Sequence, residues 1–109
     1  MTPRFKVDFN EWLEDDIVLF SQSDVRKDVY GNEHFLTEGL RIEICEIDYD
    51  EAGNRDDLWA SGYVTVCNIP NFAYVKWCCK IDNKEVKHIG KAAADERAWC
   101  RNGNRSSDL

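Results

Sequence analysis

The strongest constraint on the fold is an alternation of apolar and polar residues with period two. From Ala60 to Val66 every second residue is small or apolar, and polar or aromatic residues lie between them. Residues 75–81 repeat the pattern, and their apolar set is Val75, Trp77, Cys79 and Ile81. Successive side chains of a strand point to opposite faces of a sheet, so this period is typical of strands with one buried face. We therefore predict two antiparallel strands that place these residues in the core.

Shorter strand patterns fill the rest of the chain up to residue 89, and each adjoins a turn signal. They cover residues 17–20, 25–30, 33–36, 40–44 and 85–89. The pair Gly31-Asn32 suits a two-residue hairpin turn, because both residues adopt positive φ readily. At Ile44-Cys45 the alternation changes phase, which an extra residue in a β-bulge would explain. The predicted fold class is mainly β, a small antiparallel barrel or meander of about five or six strands.

The end of the chain has a different composition. Residues 91–100 are rich in alanine and include Trp99. We predict a short C-terminal helix there, and it must dock through Trp99 and the alanines because about ten residues are marginal as an isolated helix. Residues 101–109 are predicted to be a polar tail, and residues 1–100 a single domain, as suits a chain of 109 residues.

Charge is distributed unevenly along the chain. The net charge is −7, and residues 1–57 carry 16 acids against 6 bases, a net −10, whereas residues 58–109 carry 5 acids against 8 bases, a net +3. Nonspecific binding to nucleic acid or to an anionic membrane needs a positive surface, so the net negative charge of the chain disfavours both. The basic second half leaves room for a local positive patch.

Several sequence features indicate a cytoplasmic protein. No apolar run approaches the roughly 18 residues of a membrane helix, and residues 1–10 lack the apolar stretch of a secretory signal. There are five cysteines, an odd number, and their spacing does not match that of a disulfide framework. We therefore expect all of them to remain thiols in a reducing compartment.

Three segments carry a resemblance to known proteins: Glu38-Gly39-Leu40-Arg41-Ile42, residues 58–64 and residues 75–82. Their succession resembles that of small SH3-like barrels of the Tudor or KOW type. It is also similar to uncharacterised small bacterial proteins with a Glu-Gly-Leu-Arg and a Val-Lys-Trp-Cys-Cys pattern. The resemblance covers residues 36–89 and contains no catalytic motif. It implies a non-catalytic binding module whose loops and aromatic-lined groove receive a peptide or a nucleic acid.

Residues 48–57, which we call the acidic loop, raise the question of a cation site. A calcium loop of the helix–loop–helix type requires oxygen ligands at positions 1, 3, 5 and 9 and a bidentate glutamate at position 12. Counted from Asp48, position 5 is Ala52 and position 12 is Trp59, so two of these ligands are missing. We therefore predict a solvated hairpin loop, with Gly53-Asn54 supplying the turn.

The sequence offers only weak candidates for a metal site or for a catalytic nucleophile. A zinc site would have to be drawn from Cys45, Cys67, Cys78, Cys100 and His88, and no Cys-x-x-Cys knuckle supports it. A Cys–His nucleophile would need His34 or His88, and nothing local positions either beside a thiol. We predict Cys45 and Cys79 in the core and Cys78 and Cys100 near the surface, with no catalytic residue, metal or cofactor.

Two binding hypotheses remain. In the first, an acidic surface formed by residues 11–16 and the acidic loop binds a basic protein or peptide, with Trp59 and Tyr63 as an aromatic notch, unless Trp59 only caps the barrel end. Its predicted binding residues are Asp48, Asp50, Asp56, Asp57, Trp59 and Tyr63. In the second, a strand face binds single-stranded nucleic acid by stacking and phosphate contacts, unless its lysines only keep the sheet soluble. That face comprises Tyr74, Lys76, Lys80 and Lys87. Exposed strand edges fit a homodimer as well as a monomer.

Overall fold

The computed structural model describes residues 2–13, 16–72, 74–88 and 100. Within these ranges the protein is mainly β, with nine strands: β1 (Arg4–Lys6), β2 (Trp12–Leu13), β3 (Ile17–Ser21), β4 (Val25–Lys27), β5 (Glu33–Phe35), β6 (Arg41–Glu46), β7 (Leu58–Val66), β8 (Trp77–Ile81) and β9 (Lys87–His88). Single 3₁₀ turns are formed by Phe9–Glu11, Pro70–Phe72 and Asp82–Lys84. The helix predicted for residues 91–100 and the polar tail lie outside the described residues, apart from Cys100. No helix in the described ranges has the length and apolar character needed to cross a bilayer.

Seven of the described strands form one curled sheet, a half-barrel, in the order β1-β6-β7-β8-β3-β2, with β9 paired to β7. The antiparallel meander of β6, β7 and β8 confirms the strands predicted from period two. Strand β3 then pairs antiparallel with β8, far from it in sequence. The pairing of β1 with β6 is parallel, which departs from the all-antiparallel prediction. A parallel pair needs a long connection, and the chain between Lys6 and Arg41 supplies it.

The remaining two strands, β4 and β5, form the predicted hairpin with a longer turn than expected. Val25 pairs with Phe35 and Lys27 pairs with Glu33, so five residues connect the strands instead of two. The carboxylate of Asp28 holds this turn by accepting the N–H groups of residues 30 and 32 at 2.8 and 3.0 Å. The five-residue connection is thus held by hydrogen bonds to one buried side chain, where a two-residue turn was predicted.

The main core lies on one face of the sheet. Trp77, Cys79 and Ile81 are buried there, as predicted, together with the alternate residues of β6 and β7. Phe5 of β1 and Phe20 of β3 meet edge to face with their ring centroids 5.1 Å apart. Burial of this apolar surface supplies the dominant favourable term in folding.

The opposite face of the sheet carries two smaller apolar clusters, which the sequence pattern did not reveal. One contains Leu19, Val75 and Cys78, and the other contains Val29, Cys45 and Cys100. Val75 therefore packs away from Trp77 and not beside it. The second cluster explains the change of phase at Ile44-Cys45, because both neighbours are buried on opposite faces.

The β-bulge predicted at Ile44-Cys45 is accordingly wrong. The pairing of β6 with β7 runs without interruption from Arg41↔Tyr63 to Glu46↔Leu58. The irregularity lies instead in β3, where the register with β8 shifts between Leu19 and Ser21.

Arg26 joins two strands that are not neighbours in the sheet. Its guanidinium donates hydrogen bonds to the carbonyl oxygens of Lys6 in β1 and Phe20 in β3. The same group lies over the Phe20 ring, with Cζ 4.4 Å from the ring centroid. One side chain therefore bridges the backbones of the two strands and contacts an aromatic ring of the main core.

Candidate functional site

The acidic loop continues the hairpin between β6 and β7. Tyr49 and Arg55 form an isolated antiparallel bridge, and beyond it the N–H of Asp50 donates to the carbonyl of Asn54 at 2.8 Å. Gly53 has φ +87°, in the left-handed region that favours glycine. The carboxylate of Asp50 accepts two backbone N–H groups of the turn, at 2.9 and 3.0 Å. The loop therefore turns the chain as predicted, with Gly53 in the turn.

A buried ion pair closes the base of this loop. The side chain of Asp57 is 0% exposed, and Arg55 donates to its two carboxylate oxygens from Nε and Nη2, both at 2.8 Å. The N–H of Asp48 adds a 3.3 Å bond to the same carboxylate. Asp57, predicted as a partner-binding residue, thus has its charge directed inward and holds the loop in shape.

The same arginine reaches the far end of the described chain. Nη2 of Arg55 donates to the carbonyl of Cys100 at 3.2 Å, and Cys100 forms a disulfide with Cys45, with the two Cα atoms 5.8 Å apart. The prediction that all five cysteines are thiols is therefore wrong for this pair, and Cys100 is buried where a surface position was expected. The two residues are 55 positions apart with no spacing motif, so the pairing depends on tertiary structure.

The other three cysteines of the described chain are free: Cys67, Cys78 and Cys79. Cys79 lies in the core, as predicted, and burial raises the pKa of its thiol to about 12. Cys78 is buried against Leu19 and Val75, so its predicted surface position is wrong. Burial also raises the pKa of Cys78, assisted by a hydrogen bond with Cys67. Thiols in this state are poor nucleophiles at neutral pH.

Both histidines contact carboxylates. His34 Nε2 lies 2.8 Å from Asp28 Oδ2, and His88 Nδ1 lies 3.0 Å from Asp56 Oδ2. Across the described ranges, no group of three or more His, Cys, Asp or Glu side chains is arranged to hold a metal ion. Asp56, another predicted partner-binding residue, therefore belongs to an ion pair with its own chain when His88 is protonated.

At the predicted aromatic notch of Trp59 and Tyr63, a side chain of the same protein already contacts the Trp59 ring. Lys87 Nζ lies 5.3 Å from the ring centroid of Trp59, in cation–π geometry. Trp59 also packs against the cluster that contains the disulfide. Tyr63 is half-buried and pairs in register with Arg41 on one side and Lys80 on the other. The contacts of Trp59 therefore fit the alternative prediction, in which its ring covers apolar residues of the same protein.

The predicted nucleic-acid face is electrically neutral where the structure describes it. Each of its three lysines has an acidic neighbour: Lys76 with Asp24 at 2.7 Å, Lys80 with Asp16 at 3.2 Å and Lys87 with Glu85 at 3.7 Å. The hydrogen bond from Lys76, followed by that from the Trp77 indole, lowers the pKa of Asp24, so this carboxyl stays charged. Tyr74 is exposed, and its ring centroid lies 6.1 Å from that of Phe72.

Several acids of the described chain form no ion pair, and three of them lie close together in sequence in the acidic loop. Within the described chain, Asp48, Asp50 and Glu51 form no ion pair. Tyr49 lies between the first two and is 54% exposed. Of the six predicted partner-binding residues, Asp50 lies exposed at the tip without an ion pair, and Asp48 lies half-buried and without an ion pair at the base of the loop. Tyr49 and Glu51 were missed, although an aromatic residue between two acids was visible in the sequence.

No protein-family model, curated protein or solved structure matches the chain. The protein is a small, mainly β half-barrel, a fold compatible with a small barrel. A fold of this kind does not by itself specify a function.

Proposed function

We propose that this protein is a non-catalytic interaction module that binds a basic protein or peptide through the tip of the acidic loop. The proposal depends on one observation, the distribution of ion pairs. The lysines of the strand face are matched by acids, whereas Asp48, Asp50 and Glu51 have no cationic partner among the described residues. The charge available to a partner at the loop tip is therefore negative.

The chemistry of the tip suits lysine or arginine side chains. Clustered carboxylates accelerate encounter with a positive partner and fix its orientation. The exposed ring of Tyr49 offers a surface for a guanidinium or an aliphatic lysine stem, and tyrosine is enriched among residues that dominate binding energy. Hydrogen bonds within residues 50–54 favour one arrangement of these groups, which reduces the entropy lost on binding.

The finer structural part of the proposal is that the half-barrel is an SH3-like barrel of the Tudor or KOW type. The succession of β6, β7 and β8 supports it, since these strands correspond to the three segments that carry the resemblance. In such a barrel the acidic loop would be one of the loops that present binding residues.

The test is a titration of a fluorescent nona-arginine peptide at low and high salt. A loop variant, Asp48→Asn/Asp50→Asn/Glu51→Gln, should raise Kd about 10-fold, or about 1.4 kcal/mol. A control variant, Asp8→Asn/Glu33→Gln/Glu38→Gln, removes the same charge from other exposed positions and should change Kd less than about 2-fold. Affinity should fall steeply with salt. Equal losses in both variants, or no binding at low salt, would contradict the proposal.

Tyr74 keeps single-stranded nucleic acid as the second candidate, because its exposed ring, 6.1 Å from that of the half-buried Phe72, is a surface on which a base can stack. A gel shift with a short single strand at low ionic strength decides between the two. We expect no shift, since the neighbouring lysines are already matched by acids. A shift that Lys76→Glu abolishes would replace the first proposal with the second.

A further inference from the structure

The far end of the described chain is fastened to the base of the acidic loop by three separate contacts. The first is the disulfide from Cys100 to Cys45, and the second is the 3.2 Å hydrogen bond from Arg55 to the Cys100 carbonyl. The third is the apolar cluster in which Val29, Cys45 and Cys100 are each no more than 2% exposed. A covalent bond, a polar contact and apolar packing thus meet at one place.

This place lies where the acidic loop begins and ends. Cys45 is in β6, which leads directly into the loop, and Arg55 lies on the returning side. The guanidinium of Arg55 divides its hydrogen bonds between Asp57 and the Cys100 carbonyl. Departure of Cys100 would remove one acceptor from this arginine and uncover the cluster beside Trp59. The order of the loop should therefore depend on whether Cys100 stays in place.

We infer that the Cys45–Cys100 disulfide is a redox-sensitive latch that sets the rigidity of the acidic loop. A dithiol reductant opens the latch by transferring two electrons and two protons to the Cys45–Cys100 bond. The sulfur–sulfur bond breaks, two thiols form, and the reductant becomes a disulfide. Oxidation by a disulfide oxidant reverses the step and docks Cys100 again.

Burial makes this latch slow to open in the folded protein. Cys45 is 0% and Cys100 is 1% exposed, so an attacking thiolate reaches the sulfurs only after local opening. In a reducing compartment the latch would be open, and in an oxidising one it would be closed. The latch is inferred from these contacts alone, whereas its effect on partner binding rests on the proposed function.

Amide hydrogen exchange by NMR, on oxidised protein and on protein reduced with dithiothreitol, tests the latch. The reporters are the N–H groups of Asp50, Gly53 and Asp56, which bond within the loop at 2.8, 3.0 and 2.9 Å. We expect these amides to exchange at least 10-fold faster after reduction. The N–H groups of Cys67 and Lys76, bonded at 2.9 and 3.0 Å elsewhere in the sheet, should change less than 2-fold.

Two variants assign the effect to this disulfide. Cys100→Ser should show the fast loop exchange with or without dithiothreitol, and Cys67→Ser should respond as the natural chain does. Unchanged loop exchange on reduction would overturn the inference. So would equal acceleration of all the amides, because that result means global loosening.

Peptide binding separates this inference from the proposed function. If the loop amides respond to reduction, we expect the nona-arginine peptide to bind several-fold more weakly to the reduced protein. Failure of the peptide to bind either form would remove the proposed function and leave the latch supported by exchange. Binding that is accompanied by unresponsive loop amides would remove the latch and leave the function.

Discussion

Two arginine–aspartate pairs in this protein share the same chemistry and differ in burial. Arg55 contacts a carboxylate that is 0% exposed, whereas Arg41 contacts Asp82 at the surface, where 36% of the acid is exposed. A buried carboxylate that loses its partner keeps the cost of desolvation without compensation. An exposed carboxylate is solvated by water instead. The two pairs therefore separate the effect of burial from that of contact geometry.

We predict that Arg55→Ala lowers the free energy of unfolding by about 3 kcal/mol. Arg41→Ala serves as the matched control and should cost less than about 1 kcal/mol. Urea denaturation at neutral pH measures both values. Equal losses would mean that Asp57 gains solvent when its partner is removed.

The carboxyl group of Asp28 contributes to the pH dependence of the protein's stability. Burial acts to raise its pKa, but hydrogen bonds from His34, followed by those from the N–H groups of Asn32 and Tyr30, outweigh burial and hold the pKa below its ordinary value of 3.8. Its stabilising contribution is therefore present above pH 3.8 and is lost as pH falls through the lower, folded-state pKa.

We predict that Asp28→Asn flattens the acid limb of the stability profile. The natural chain should lose stability steeply as pH falls below about 4, and the variant should lose less over the same interval. At pH 7 the variant should be the less stable of the two, because the charged hydrogen bonds are gone. Urea unfolding at pH 7, 4.5 and 3 provides the comparison. Parallel profiles for both proteins would contradict this assignment.

Among the strands, those with one buried face were predictable and those between two apolar layers were misread. Ala60 and Val64 alternate with half-exposed residues, so β7 was identified from its period. Ile44 and Cys45 are adjacent and both buried, because a second cluster covers the opposite face. A local pattern cannot distinguish this situation from a bulge, since the covering residues come from distant parts of the chain.

The contact between β7 and β8 is close enough to require glycine. An ideal Cβ at Gly62 would lie 2.2 Å from the carbonyl oxygen of Lys80, and backbone cannot yield as a flexible side chain does. We predict that Gly62→Ala costs about 3 kcal/mol through forced separation of the strands. Gly53→Ala, in open space at φ +87°, should cost about 1 kcal/mol. Thermal unfolding of both variants checks the difference, and equal shifts would refute it.

For the molecule as a whole, the sequence predicted the fold class and the turning role of the acidic loop, but not its long-range contacts. The parallel pair of β1 and β6, the lysine–acid pairs and the disulfide all join residues that no local spacing relates. These contacts determine which predicted site residues have a charge that is available to a partner. The sequence shows that Asp57 and Lys76 are charged, but not that Arg55 and Asp24 pair with them.

Reduction of the disulfide should lower the free energy of unfolding by raising the entropy of the unfolded chain, a loss that amides exchanging by local opening of the folded sheet do not report. The bond joins residues 55 positions apart, and the chain-entropy relation assigns about 4 kcal/mol to a closed loop of this length. We predict a loss of this order when urea unfolding is measured with and without dithiothreitol. Cys100→Ser should show the lower value in both buffers. An unchanged midpoint for the natural chain would show that the unfolded state gains little freedom on reduction.

The pairing of β3 with β8 affects how the nascent chain behaves during translation. Val18 pairs with Cys79, so β3 leaves the ribosome long before its partner has been made. During that interval the apolar run of Val18, Leu19 and Phe20 has no sheet to join, and unpaired strands of this kind are prone to aggregate. Slower elongation between β3 and β8 would prolong the exposure. Yield in cells should therefore depend on translation speed and chaperone supply as well as on the stability of the finished protein.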